Sequence, residues 1–219
     1  LISLIFPQIS DYSYTGAEAS AMVGAIVSEK GSNWSILHNP AGIAEVNSTH
    51  FSTGGGNLYN LNWLSNYYIN GIFKIPALGK ISFTLQQLKT RYNGKMLSNE
   101  QTISISQGFN LQKDNNSHLS VGFTSNFIKW NLSKSSGING DGTNGIEPTN
   151  INTLTIDIGL LASLRHKYRF GLFMKNFNSG AIGNGMSRQI LPKRINIGIT
   201  YIPIKDLSTN LVYENTLGK

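Results

Sequence analysis

Ile81–Ser82–Phe83–Thr84–Leu85–Gln86 alternates apolar and polar residues without a break. Successive side chains of an extended chain point to opposite faces, so this stretch carries Ile, Phe and Leu on one face and Ser, Thr and Gln on the other. The theme recurs along the chain. Ile103–Ser104–Ile105–Ser106–Gln107–Gly108–Phe109–Asn110–Leu111 has the same form, interrupted only at Gln107. Leu119–Phe127, Leu154–Leu160 and Ile195–Tyr201 repeat it. Less regular candidates cover Tyr67–Ile75, Phe170–Phe177 and Ser208–Glu214, with another near Phe51–Gly56, which makes about nine strands. From about Thr49 onward, segments of roughly 8–12 residues are parted by turn formers. That is the pattern of a membrane β-barrel, in which each lipid-facing side chain is followed by a lumen-facing one. A soluble β-sandwich uses the same alternation but hides its apolar face inside. The two differ in whether Ile81, Phe83 and Leu85 face outward, which alternation alone does not decide.

Composition narrows the class. Hydrophobic residues make up 40% of the 219-residue chain and charged residues only 13%, against about 25% charged in an ordinary soluble domain. Asn, Ser, Thr and Gly fill the difference, as suits strands with one wet face. There is no cysteine, which excludes disulfides and thiolate metal sites. The formal charge of +7 is spread over single basic residues. The tight groups, Arg165–His166–Lys167–Tyr168–Arg169 and Lys193–Arg194, fall between apolar runs and read as solvated or headgroup-facing turn charges. No nucleic-acid motif accompanies them, so no nucleic-acid partner is expected. No apolar run reaches the ~18 residues of a membrane helix. The apolar start Leu1–Phe6, broken by Pro7, reads as the remnant of a secretory signal peptide over residues 1–10; a short buried N-terminal segment is the alternative.

Connections are expected to be short at Ile75–Lys80, Gln112–Ser117 and Arg165–Lys167, and longer at Thr90–Glu100, Asn131–Asn152 and Asn178–Pro192, with Ser133–Asn152 a mobile surface loop. Tyr59, Trp63, Tyr67, Tyr68, Tyr92, Trp130, Tyr168, Tyr201 and Tyr213 sit near strand ends, where amphipathic rings would meet a membrane boundary. Gly122, Gly159, Gly171 and Gly198 lie on the small face. Either something approaches the wall closely there or they simply lower bulk in a crowded interior; the second reading is preferred. Residues 11–48 differ from the rest. Gly16–Val27 is rich in small residues and reads as a short helix or compact coil. Asn39–Pro40 marks a turn. Small side chains let such a segment pack against other backbone, as an N-terminal plug would.

The order Gly16–Ala17, Met22, Gly24–Ala25, a polar spacer and then Asn39–Pro40–Ala41–Gly42–Ile43–Ala44 resembles the start of the PorV/PorQ family, within the FadL-like outer-membrane barrels. Downstream, Asp157–Leu161, Phe170–Gly171–Leu172 with Lys175–Asn176, Leu191–Pro192 and Ile195–Gly198 resemble later barrel strands of that family. The resemblance implies an all-β, antiparallel transmembrane barrel over residues 49–219 with a plug over 11–48. It also implies a place in the bacterial outer membrane, in contact with its lipid. The spacer Glu29–Asn33 has one acid, fewer than the family usually carries. About nine strands is fewer than family barrels have, so the chain is expected to be an incomplete barrel.

Two roles follow from the resemblance. One is association with type IX protein secretion to the cell surface, with secretion-system proteins or secreted cargo as partners. The other is a FadL-like channel for hydrophobic small molecules, in which Asn39, Pro40, Ala41 and Gly42 sit in the lumen and gate it; the motif would otherwise only anchor the plug. The second role requires a continuous apolar path past the plug. A soluble β-sandwich binding module is a further alternative. No enzyme, cofactor or metal is expected: His38, His50, His118 and His166 lack ligand spacing, no G-x-S-x-G elbow occurs, and Gly140–Asp141–Gly142 reads as a plain turn. Asp157, an acid on the small, lumen-side face of its strand, is expected to form a structural ion pair with an interior cation such as Lys175, a transport role being the alternative.

Overall fold

The computed structural model describes residues 15–76, 79–134, 147–182 and 189–217. The expected signal remnant at 1–10, the first residues of the expected plug, most of the loop at 133–152 and Gly140–Asp141–Gly142 lie outside them. The strands are β1 (His50–Asn57), β2 (Leu64–Ile75), β3 (Gly79–Tyr92), β4 (Lys95–Lys113), β5 (Ser117–Leu132), β6 (Thr149–Leu164), β7 (Tyr168–Lys175), β8 (Ala181–Ile182), β9 (Gln189–Ile190), β10 (Lys193–Ile204) and β11 (Leu207–Leu217). β8 and β9 form a small hairpin of their own. The others make one nine-stranded sheet, β1-β2-β3-β4-β5-β6-β7-β10-β11. Every neighbouring pair in it is antiparallel. β1 and β11 are its edges, so the sheet is open. Eight of the nine contain one of the runs named above, and β7 overlaps the run Phe170–Phe177 but ends at Lys175.

Several strands outgrow their apolar runs. β4 has 19 residues and β5 and β6 have 16 each. Ladder hydrogen bonds satisfy backbone whatever the side chain, so pairing continues through polar ends such as Lys95–Gln101, where alternation gives no signal. The longer loop expected at Thr90–Glu100 is therefore a hairpin that turns on two residues. Asn93 and Gly94 have φ of 47° and 75°, the left-handed pair that a type I′ turn requires. Thr149–Asn152 likewise belongs to β6, and 178–192 contains β8 and β9. At the opposite end of the sheet the links are short, at Asp114–Asn116, Arg165–Lys167 and Lys205–Asp206.

The two faces of the sheet have opposite polarity. Ser82, Thr84, Gln86, Thr102, Ser104, Ser106, Thr124, Asn126 and Thr155 are buried. Their neighbours along the strands, Phe83, Leu85, Ile103, Ile105, Phe123, Phe127, Leu154 and Ile156, are exposed. Among the described residues no second sheet covers this apolar face. The buried polar face instead packs against the N-terminal segment, which holds the short helices α1 (Ala17–Ala21) and α2 (Ser35–His38) and a 3-10 helix, Pro40–Glu45. Ile36, Ile43 and Val46 of this segment meet Ile72 of β2 in one apolar cluster. Two rings expected at a boundary point inward instead. Trp130 is buried with Ile128 and Leu191, its Nε1 donating to Ser98 Oγ at 2.6 Å. Tyr68 stands edge-on to Trp34 of the N-terminal segment, centroids 5.0 Å apart.

Candidate functional site

The chemistry-bearing residues gather where the N-terminal segment lies on the sheet. Pro40 starts the 3-10 helix at its first turn, where a missing N–H costs nothing. Asn39 caps that helix, its Oδ1 accepting from Ala41 N at 3.1 Å. Its Nδ2 donates to Val27 O at 2.7 Å and to Leu160 O of β6 at 3.1 Å. One side chain thus ties two parts of the segment to each other and to the wall. Pro40, Ala41 and Gly42 are all buried. A Cβ on Gly42 would stand 2.6 Å from Ser35 Oγ, so Gly42 lets the 3-10 helix close on α2.

Beneath the segment the wall is floored with glycine. Gly108, Gly122 and Gly159 are directly opposite one another across β4, β5 and β6, and Gly171 faces Gly198 across β7 and β10. A Cβ would come within 2.6 Å of Ala44 N at Gly108, 2.2 Å of Pro40 C at Gly122 and 2.1 Å of Asn39 Oδ1 at Gly159. At Gly171 it would come within 2.2 Å of Val27 O, and at Gly198 within 2.5 Å of Val27 Cγ1. The preferred reading of these glycines as mere relief of crowding is therefore corrected: each marks a close approach, mostly by backbone. Gly108 was legible by its phase with Ser104 and Ser106 but was not singled out.

Polar contacts close the perimeter. Ser28 Oγ and Thr200 Oγ1 share a hydrogen bond of 2.7 Å. Glu29 pairs with Arg169, and Lys80 Nζ donates to Ala44 O. Glu45 lies 3.4 Å from His118 Nδ1. Asn70 of β2 donates to Asn33 O. Every strand of the large sheet from β2 to β10 touches the segment through one of these contacts or through the glycines. No local pattern announces Ser28, Glu29 or Asn33 in the sequence; their partners lie tens of residues away.

Asp157 is buried on β6. Its Oδ2 accepts from Asn126 Nδ2 at 2.7 Å and its Oδ1 from Asn176 N at 2.8 Å. Lys175 lines the same cavity as Asp157, together with Gln86, Thr102, Asn126 and Leu37. The cavity has a volume of about 30 Å³, room for a water molecule or two. The structure thus brings Asp157 and Lys175 together, with the two asparagines that sequence reasoning missed. They stand apart from Asn39–Gly42, which make no contact with the carboxylate. The two described ends of the connection between β7 and β10, 176–182 and 189–192, meet at this end. Asn176 Nδ2 donates to Pro192 O at 2.9 Å, and Leu191 packs on Trp130.

His38 is the buried titratable group of the N-terminal segment. Its Nε2 donates to Thr15 O at 2.7 Å. Burial holds the imidazole down at about 4; the Thr15 carbonyl opposes that shift, and the Lys175 charge adds to it. The ring is neutral in the folded protein at neutral pH. In comparisons with known proteins, no family model and no curated relative matches the chain.

Proposed function

We propose that the chain forms the wall and plug of a bacterial outer-membrane β-barrel of the PorV/PorQ kind, associated with type IX protein secretion to the cell surface. The observation that carries the barrel reading is the inverted polarity of the sheet, with hydroxyls and amides buried and Phe83, Ile105, Phe123 and Phe127 outward. A soluble protein would expose a contiguous apolar wall to water at a cost of about 25 cal/mol per Å²; lipid removes that cost. Strands of 12 residues and more exceed the ~9–11 that a tilted crossing needs. The links at 114–116, 165–167 and 205–206 are short. The two longest connections, 133–148 and 176–192, lie at the opposite end with the two-residue β3–β4 turn, an asymmetry that fits such barrels in part. Fractionation tests this reading. The protein is expected in the outer membrane and to shift its gel mobility on boiling. A soluble periplasmic protein without that shift would refute it.

The interior supports the secretion role over a hydrophobic channel. Past the N-terminal segment the wall presents Ser, Thr, Asn and Gln, such as Thr84, Ser104, Asn126 and Thr155, where an acyl chain would need an apolar path. The Asn39–Gly42 motif is bonded to the wall, which suits an anchor. Deleting the gene is expected to leave surface-destined proteins in the periplasm while uptake of fatty acids is unchanged. A source genome without type IX machinery would sink the secretion role and leave the barrel standing.

A further inference from the structure

The rim with the short links carries a surface that the proposed function does not use. Tyr168 and Tyr201 face one another in the register of β7 and β10. Their rings stack at 5.2 Å with 21° between planes, and both lie on the exposed face. Just beyond them the β6–β7 and β10–β11 turns meet, joined by Ile202 N donating to Lys167 O at 2.8 Å. Arg165, Lys167 and Lys205 are exposed on these two turns, with exposed Ile204 and Leu207 beside them. Asp206 is the one acid on either turn. Arg169 is turned inward to Glu29 and takes no part.

We infer that this surface is a binding site for the headgroup of an anionic phospholipid, held by Arg165, Lys167 and Lys205 above the Tyr168–Tyr201 pair. The inference rests on the membrane reading above. Three cations within two adjoining turns complement one phosphodiester, which accepts charge-assisted hydrogen bonds from Arg and Lys. Stacked tyrosines present flat apolar rings to the glycerol and upper acyl carbons and hydroxyls to the interface, the place such rings favour. Ile204 and Leu207 continue the apolar surface toward the acyl chains. Arg91 and Lys95, exposed beside the β3–β4 turn, and Lys129 on β5 form a second basic group at the opposite end of the sheet and serve as its comparison.

The test is native mass spectrometry of the full chain extracted from vesicles of equal phosphatidylglycerol and phosphatidylcholine. Phosphatidylglycerol is expected to be retained over phosphatidylcholine, the preference falling by about fivefold for each cation removed, from ~1 kcal/mol per Lys or Arg near an anionic surface. Arg165→Gln with Lys167→Gln and Lys205→Gln should abolish the preference. Arg91→Gln with Lys95→Gln and Lys129→Gln changes the net charge equally and should leave it intact. Tyr168→Ala with Tyr201→Ala should weaken retention with all three cations present. Equal retention of the two lipids by the native chain, or an equal loss from both triple variants, would overturn the site while leaving the barrel. A chain that does not enter these vesicles would overturn the membrane reading and the site with it.

Discussion

Gly122 and Gly56 are both strand glycines, yet their surroundings differ completely. A Cβ at Gly122 meets the Pro40 backbone at 2.2 Å, whereas at Gly56 it meets nothing within 4 Å. Backbone held by its own hydrogen bonds cannot step aside, so Gly122→Ala is expected to destabilise by about 1–3 kcal/mol or more, as overpacking does. Gly56→Ala should be close to neutral. Urea unfolding followed by the fluorescence of Trp34, which sits on the N-terminal segment against Tyr68, reads both; equal effects would refute the close approach. Asn39→Ala removes the donor to Val27 O and Leu160 O and leaves the buried Val27 carbonyl without it, an expected cost of about 1–3 kcal/mol on the same measurement. His38 sets a pH dependence. Its folded value of about 4 lies below the ordinary 6.5, so the unfolded chain binds more protons between those limits. Stability should be level above pH 6.5 and fall through the window to about pH 4, by about 3 kcal/mol in total. His38→Gln should remove that slope, and a slope that persists would place its origin elsewhere. At this scale Asp157 was legible from the phase of its strand and the Asn39–Pro40 turn from its dipeptide, while Asn39–Gly42 as a motif came from the resemblance. The sequence did not place Asn126 or Asn176 beside Asp157, because a carboxylate's partners come from whichever strands the register lays beside it.

β3 and β4 show what alternation can and cannot report. It located the middle of each strand, where one face is apolar, and missed the polar continuation around Asn93–Gly94. That dipeptide was the available signal, since Asn-Gly supplies the two left-handed residues of a hairpin turn. Replacing Gly94 by Val puts a β-branched residue at a φ of 75°, which costs roughly 1–2 kcal/mol. The expected outcome is a lower unfolding midpoint with the rest of the sheet unchanged by circular dichroism. A neutral substitution would mean that the ladder above the turn, not the turn, sets the register. Trp130 and Tyr68 teach the complementary lesson. A ring near a strand end reads as a boundary residue, but strand phase decides which way it points. Trp130 is in phase with buried Ile128 and Asn126, and its indole finds a partner inside.

Across the whole molecule, the position of Phe123 at mid-strand separates the two environments the apolar face can have. In a bilayer, Phe123→Arg is expected to cost about 2–4 kcal/mol, as a midplane cation does on a barrel's lipid face. In water the same exposed substitution would be near neutral. Unfolding of the reconstituted protein from lipid vesicles measures the difference, and a neutral result would refute a lipid-facing wall. The strand count and the antiparallel order were readable from turn spacing. The seat of the N-terminal segment was not, because it is written in residues scattered from Asn70 to Thr200. That scatter has a consequence in time. Val27 and Ser28 rest on Gly198 and Thr200, so the part of the chain synthesised early can settle only after β10 has joined the sheet. Contacts of such long sequence separation form late and slowly. Until then the wall beneath Val27 and Ser28 stands without its occupant, while the stretch from Ile36 to Val46 already has Ile72 of β2 to pack on.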